Sequence, residues 1–385
     1  MQLGSLLNSV PEKYKKIPVN GICFDSRKIK KNQIFFAIKG KKKSGINYIK
    51  EAVFKGASAI IVNKTNRLVN DKIKIIRVKN VRESLSEACR NFFKKKPKSI
   101  IAVTGTNGKS SVANFFLQIL ELNKIPAASI GTLGISSKKY KKKTNLTSID
   151  PVSLHKHLQI LARKNINNII LEASSHGLVQ NRLDGLKIKT GIFTNLSHDH
   201  LDYHKSMKIY FYSKMKLFKN LMEKNSLAIT DEENKEFNTI KKILKKRKIK
   251  KLTIGKNSGN IKVLQIKYKD SKQIFKILYK SKIYIIKVSL IGSFQIKNLL
   301  MAILAAKICG LKISKVLKQV NKIKSVPGRL ECVSNLKNNS HIIVDFAHTP
   351  DALNQSLIAL KNQYKKEILI VFGCGGERDK KKRIK

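Results

Sequence analysis

Val103–Phe116 reads VTGTNGKSSVANFF: a short apolar run breaks into two glycines and a lysine, then resumes with helical spacing. Backbone N–H groups of such a loop can turn inward onto phosphate oxygens. The helix that follows presents its positive N-terminal end to the same anion. Gly105 and Gly108 permit a tight backbone, with Thr106 and Asn107 between them. Lys109 is long enough to reach outer phosphates, and the Ser110 hydroxyl suits Mg2+. The spacing is shorter than GxxxxGK[ST], so Gly105 is not the first glycine of that pattern. A chance strand-turn-helix is the ordinary alternative, but the β-run before the loop and the helix after it favour phosphate. The stretch therefore sits at the carboxyl end of a strand, and an α/β fold with a parallel sheet is expected.

The flanking sequence carries the same alternation. SIIAVTG (Ser99–Gly105), NNIILEAS (Asn167–Ser174), TGIFTNL (Thr190–Leu196) and SLAIT (Ser226–Thr230) read as strands separated by helices. Three β-rich runs, Ile261–Tyr268, Lys272–Tyr279 and Lys282–Leu290, are spaced like an antiparallel meander, and a helix pair follows at Phe294–Ile308 and Ile313–Ile323. Upstream, GICFDS, QIFFAI, ASAIIVN and IKIIRV form a smaller α/β set with helices at Tyr48–Lys55 and Val81–Phe93, closed by a linker ending at Pro97. Downstream, HIIVDFA, a helix from Pro350 and EILIVFG begin a third α/β unit. Domains are expected at 1–97, 98–326 and 327–385. The last is read as cut off within a lysine run, with too few strands to cover both faces of a sheet.

A length of 385 residues allows an ample core. The formal charge of +56 raises nucleic-acid binding. Lysine is spread along the whole chain, however, and neither an RNP-type aromatic motif nor a Cys/His finger interrupts it. Solvated lysines with non-specific attraction for polyanions are expected, and no specific nucleic-acid partner. The longest apolar candidate, Leu299–Leu311, contains Lys307, so no membrane insertion is expected. The N-terminus has no signal-peptide pattern. Five scattered cysteines suit a reducing cytoplasm rather than disulfides or zinc.

Two further clusters bear on chemistry. In LEASSHGLVQNRL a strand rises to Glu172, which is placed to hold Mg2+ near the loop. Ser175 and His176 are adjacent and lack a G-x-S-x-G elbow, so substrate contact is expected there rather than a nucleophile. In FTNLSHDHLDYH the H-E-x-x-H zinc pattern is absent. His200 fits Mg2+ or a water on it, while His198 and His204 read as surface residues.

The ordered set TGTNGKSS, EASSHGLVQNRL, NLSHDHLDYH, GRLE and VDFAHTPDAL…VFGCGGERDK resembles the Mur ligase superfamily over essentially the whole chain. Its nearest likeness is to the branch adding the third amino acid of the peptidoglycan peptide. The resemblance implies a three-domain architecture: a small N-terminal UDP-binding α/β domain, a central P-loop parallel-sheet ATPase domain with a small antiparallel subsheet, and a partial Rossmann-like C-terminal domain. It implies an ATP-dependent amide ligase joining meso-diaminopimelate to the D-Glu γ-carboxylate of UDP-MurNAc-L-Ala-D-Glu through an acyl phosphate. Gly105–Ser110 then resembles the ATP phosphate loop, and Glu172 and His200 the magnesium positions. Lys214 in YFYSK falls where the family carries a CO2-derived carbamate that helps hold metal. Phe24, Ser26, Thr147, Ser148, Ser175, Gln180 and Arg182 resemble the UDP-sugar-peptide contacts, with Ser174 the alternative to Ser175. Asn298 resembles an adenine-side contact, with Gln295 where the family has asparagine. Arg329 and Asp345 resemble ATP contacts of the third domain, and Arg378 a grip on the diamino acid's carboxylate. The family's DNPR-type and GKGHE-type motifs are absent from the sequence. The readings left open are a lysine-adding or folylpolyglutamate-type ligase, a remnant that binds nucleotides without turnover, and a nucleic-acid-stimulated ATPase. A cytoplasmic monomer is expected.

Overall fold

The computed structural model describes residues 1–40, 43–66, 73–269, 272–336 and 340–373. They fall into two compact units: Met1–Pro97 with Ile149–Asn165 and Gly177–Leu186, and Lys98–Ser148 with Ile166–His176 and Lys187–Lys385. In chain order the first stretch holds β1 (Gly21–Cys23), β2 (Gln33–Phe36), α1 (Ile49–Phe54), β3 (Ala59–Asn63), β4 (Ile75–Val78) and α2 (Val81–Phe92). Next come β5 (Ser99–Thr104), α3 (Lys109–Leu122), β6 (Ala127–Gly131), β7 (Gly134–Ser136), β8 (Lys141–Lys142), α4 (Pro151–Arg163), β9 (Asn168–Glu172), α5 (Ser175–Val179) and β10 (Ile188–Phe193). The chain continues through α6 (Leu201–His204), α7 (Met207–Lys216), β11 (Met222–Asp231), α8 (Phe237–Lys246), β12 (Lys250–Gly255), β13 (Ile261–Lys269), β14 (Lys272–Tyr279) and β15 (Lys282–Val288). It ends with α9 (Ser293–Ala306), α10 (Ile313–Leu317), β16 (Glu331–Asn335), β17 (His341–Val344) and α11 (Pro350–Tyr364).

In the first unit β1-β2-β3-β4 form a parallel sheet. Side chains alternate between its faces. Phe36, Ile61 and Ile76 pack into one core with α2, while Phe35, Ile60 and Val62 pack into another with α1. Helix α4 belongs to this unit. Asp150 caps it through the Ser153 N–H at 2.9 Å, and Pro151 takes its first turn, where a missing N–H costs nothing.

The second unit is built on a sheet ordered β15-β14-β13-β12-β11-β10-β5-β9-β6-β7-β8. The ladder is parallel from β13 to β6 and antiparallel at both ends. The expected meander is therefore a continuation of the central sheet. Every residue of β5 is buried, as a strand covered on both faces requires. Helices α3 and α9 pack together in the same core, through residues such as Phe116, Leu120, Leu299 and Ile303. Strand β5 lies between β9 and β10, where the strand order reverses, so its carboxyl end opens onto the crevice that binds ligands in such sheets.

The C-terminal stretch corrects one expectation. EILIVFG has the alternation of a strand, yet residues 367–373 join no ladder among the described residues, and Leu369 and Val371 are 95% and 94% exposed. An extended segment without a neighbour leaves its backbone groups to water. Strands β16 and β17 pair antiparallel, and α11 packs Ala359 against Ile291 and Leu330.

Candidate active site

The second unit gathers its polar groups at the carboxyl ends of β5, β9 and β10. After β5 the backbone turns through Gly105 at φ 147° and Gly108 at φ 86°. Both positions also lack room for a side chain: a Cβ would lie 1.8 Å from Thr194 Oγ1 at Gly105 and 2.5 Å from Asn298 Oδ1 at Gly108. The loop is held by β10's continuation. Thr106 N donates to Asn195 O at 2.9 Å, Asn107 N to Asn195 Oδ1 at 2.9 Å, and Thr194 Oγ1 to Asn107 O at 2.6 Å. Lys109 begins α3, and its Nζ folds back onto the carbonyls of Gly105 and Thr106 at 3.0 and 2.6 Å. Burial holds its ammonium below the ordinary lysine value, with Glu172 and Asp199 pulling the other way.

Glu172, at the end of β9, is 3% exposed. It accepts from Ser110 Oγ at 3.1 Å, Thr132 N at 2.9 Å and Thr132 Oγ1 at 3.1 Å. These donors are neutral, so among the described residues a buried carboxylate faces the loop's serine without a cation in hydrogen-bond contact. Arg329 Nη2 reaches the same Ser110 hydroxyl at 3.2 Å and stacks over Phe346. Asp345 fixes this corner by accepting from Leu330 N at 3.1 Å and Ser356 Oγ at 2.7 Å. Asn298 is buried on α9 and donates to Gln295 Oε1 at 3.2 Å, so the longer amide at 295 braces the asparagine that meets Gly108.

Lys214 is 1% exposed. Its Nζ donates to Gly105 O at 2.7 Å and lies 4.0 Å above the Tyr210 ring. Burial, and then the charge of Lys109, push its pKa well below the ordinary value, with Asp199 pulling the other way. His200 takes a left-handed backbone at φ 55°, and its Nε2 is 3.3 Å from Asp199 Oδ2, a carboxylate also approached by His348 at 3.6 Å. His204 departs from the surface position expected of it. It is 2% exposed, its Nε2 meets Ser175 Oγ at 2.9 Å, and burial lowers its pKa to about 4. His198 is half-buried rather than exposed.

Ser148 Oγ donates to the Glu172 carbonyl at 2.7 Å and accepts from Ser174 N at 2.9 Å, while Thr147 Oγ1 meets Thr132 Oγ1 at 3.0 Å. In the first unit, Phe24 is 37% exposed, Ser26 Oγ donates to Glu51 at 2.7 Å, and Arg182 Nη2 donates to Gln180 Oε1 at 2.7 Å. Arg378 lies outside the described residues. Sequence reasoning missed Thr132, Asn195 and Tyr210. The only signal for Tyr210 was its place four residues before Lys214 on a helix.

Magnesium fits this donor set. Glu172 and Ser110 supply hard oxygens. Mg2+ is usually bound that way, by one or two protein oxygens with substrate phosphates and water.

Three family descriptions match the chain: Mur ligase family, catalytic domain, over residues 18–93; Mur ligase middle domain, over 103–306; and Mur ligase, glutamate ligase domain, over 328–385. Relatives named UDP-N-acetylmuramoyl-L-alanyl-D-glutamate--2,6-diaminopimelate ligase include those of Rickettsia montanensis and Rickettsia bellii. The first is 38% identical over 98% of this chain and 78% of its own; the second is 40% identical over 96% and 77%. A solved structure of a ligase with that name superposes with a TM-score of 0.83 at 29% identity, covering 100% of this chain and 78% of its own. A MurF ligase of Thermotoga maritima in complex with ADP shares the fold, with a TM-score of 0.62 at 19% identity over 90% of this chain and 75% of its own.

Proposed function

The chain belongs to the Mur ligase family, and from that premise we propose that it joins meso-diaminopimelate to the D-Glu γ-carboxylate of UDP-MurNAc-L-Ala-D-Glu, converting ATP to ADP and phosphate. The observation that carries the proposal is the Ser110–Glu172 pair: Ser110 lies in the first turn of α3, beside the Lys109 that starts it, and Glu172 ends β9, the parallel neighbour of β5. In the first step a substrate carboxylate oxygen attacks the γ-phosphorus of ATP, and the bond to the β-phosphate oxygen breaks. In the second the amine attacks the acyl phosphate, loses a proton, and the tetrahedral adduct expels phosphate.

The loop N–H groups and the α3 N-terminus bind the phosphates. Lys109 leaves the Gly105 and Thr106 carbonyls to follow the charge that builds on the leaving oxygens. Ser110, Glu172 and His200 would hold Mg2+, which screens the phosphate charge when bound. Arg329 adds a guanidinium beside Ser110, Asp345 keeps its turn in place, and Asn298 borders the adenine. Lys214, whose ammonium form burial disfavours, is the candidate for addition of CO2 to its neutral amine. The nitrogen bonds to carbon, one proton leaves, and the carbamate oxygens become a further metal-side donor near Lys109. Phe24 and Ser26 are the candidates for uridine, Thr147, Ser148, Ser175, Gln180 and Arg182 those for the rest of the UDP-MurNAc-dipeptide, and Arg378 that for the incoming carboxylate. In this reading residues 1–97 carry the uridine contacts, 98–326 the phosphate loop and metal side, and 327–385 Arg329 and Asp345 of the ATP side with the incoming amino acid, in a cytoplasmic monomer.

The test is ADP release from the purified chain with Mg2+, ATP and UDP-MurNAc-L-Ala-D-Glu, with and without meso-diaminopimelate, and product mass as the readout. Product that depends on the diamino acid is expected, and Lys109→Ala lowers turnover by at least about a hundredfold. Product with L-lysine and none with meso-diaminopimelate would overturn the substrate assignment. Absence of any amide product from folded, ATP-binding protein would overturn the activity.

A further inference from the structure

The outer face of the antiparallel ribbon β13–β15 sets exposed aliphatic side chains among lysines. One face of the ribbon is core: Phe275, Ile277, Ile286 and Val288 are buried. Alternation places Ile283, Ile285 and Lys287 on the other face of β15, and the register sets Ile283 opposite Leu278 and Ile285 opposite Lys276. Ile283 is 62% exposed, Ile285 66% and Leu264, at the bulge in β13, 47%. Strand β15 ends the sheet order, so nothing in that ladder extends beyond it among the described residues. Residues 261–269 and 272–288 hold eight lysines and no carboxylate.

We propose that this face docks peripherally on an anionic lipid bilayer, with Ile283, Ile285 and Leu264 entering the headgroup boundary and Lys276 and Lys287 lying against lipid phosphates. Charge complementarity selects the occupant. Aliphatic side chains ringed by lysine match an interface that is apolar below and anionic above. Single-stranded nucleic acid stacks its bases on aromatic rings, and the exposed large hydrophobic side chains of this ribbon are Leu264, Ile283 and Ile285. A second copy would bring its own eight lysines against these. No spanning segment is involved, and among the described residues no helix is long and apolar enough to cross a membrane.

The experiment is co-sedimentation of the full chain with vesicles of phosphatidylcholine alone and of phosphatidylcholine with phosphatidylglycerol, at about 0.1 M salt. Binding to the anionic vesicles and not to the neutral ones is expected. Ile283→Ser/Ile285→Ser and Lys276→Glu/Lys287→Glu should each weaken partitioning by about tenfold while leaving the melting temperature unchanged. Failure to bind anionic vesicles overturns the proposal. So does binding that ignores the isoleucine pair, since charge alone would then explain it. Sedimentation velocity supplies the remaining arm: a dimer abolished by the isoleucine pair would assign the face to self-association instead.

Discussion

Side chains that speak for themselves in the sequence are those whose neighbours are local. Lys109 and Ser110 were legible because loop, strand end and helix start are contiguous, and Glu172 because its strand ends there. Thr132, Asn195 and Tyr210 were not, because their partners lie 40, 88 and 104 positions away. His204 was misread for the same reason: a polar stretch looks solvated until Ser175, 29 residues earlier, is folded over it. Contact geometry also reveals a constraint that no motif announces. A Cβ at Gly131 would lie 2.1 Å from Glu172 Oε1. Gly131→Ala should displace that carboxylate, costing about 1–3 kcal/mol by overpacking and raising the Mg2+ concentration needed for half-maximal turnover by about tenfold or more. Titration of ADP release against Mg2+ checks it, and an unchanged Mg2+ requirement would separate Gly131 from the metal side. Lys214 gives a second prediction. Exposure to 13C-labelled CO2 should produce a carbamate resonance in the wild type that is missing from Lys214→Arg, because the guanidinium stays protonated.

Elements were legible wherever apolar runs matched their final environment. The buried strands β5 and β9 read directly, and so did β2 and β3 as strands, although the parting of their side chains between two cores shows only in the fold. Strand β12 went unread because two lysines open it, and residues 367–373 were over-read because alternation says nothing about a pairing partner. Helix α4 shows an element carrying a hidden cost. His155 is fully buried, and burial, reinforced by Lys96 and then Arg90, lowers its pKa from 6.5 to about 3. Between those values the unfolded chain holds a proton that the folded chain lacks, so stability falls as pH drops from 6.5 toward 3. The loss should be on the order of 3 kcal/mol by pH 4.5. His155→Leu should flatten this acid limb. Urea midpoints of both proteins at pH 7 and pH 4.5 check it, and equal acid sensitivity in the two would assign the limb to other groups.

For the whole molecule the consequence lies in how ligand contacts divide between the two compact units. The sequence suggested cuts near 97 and 326, reading domains as contiguous segments. It could not show that 149–165 and 177–186 pack with the N-terminal stretch, because that depends on contacts such as Ser86 Oγ donating to Asn181 O at 2.6 Å, 95 residues away. One outcome is that Gln180 and Arg182 share a unit with Phe24 and Ser26, while the phosphate loop, Glu172 and Lys214 share the other. A ligand stabilises the structure it binds by RT ln(1 + [L]/Kd), about 2.7 kcal/mol at a hundredfold excess over Kd, and amide exchange slows wherever opening must first release it. Hydrogen exchange should therefore separate the two ligands. ATP with Mg2+ should protect β5, the loop after it, α3 and the start of α9. UDP alone should protect β1, residues 24–29 and residues 177–186. Mass spectrometry of peptides from the full chain reads both sets in one experiment. If UDP slowed exchange only in the unit that holds the phosphate loop, the uridine assignment of Phe24 and Ser26 would fall, while the ATP site would stand on its own protection pattern.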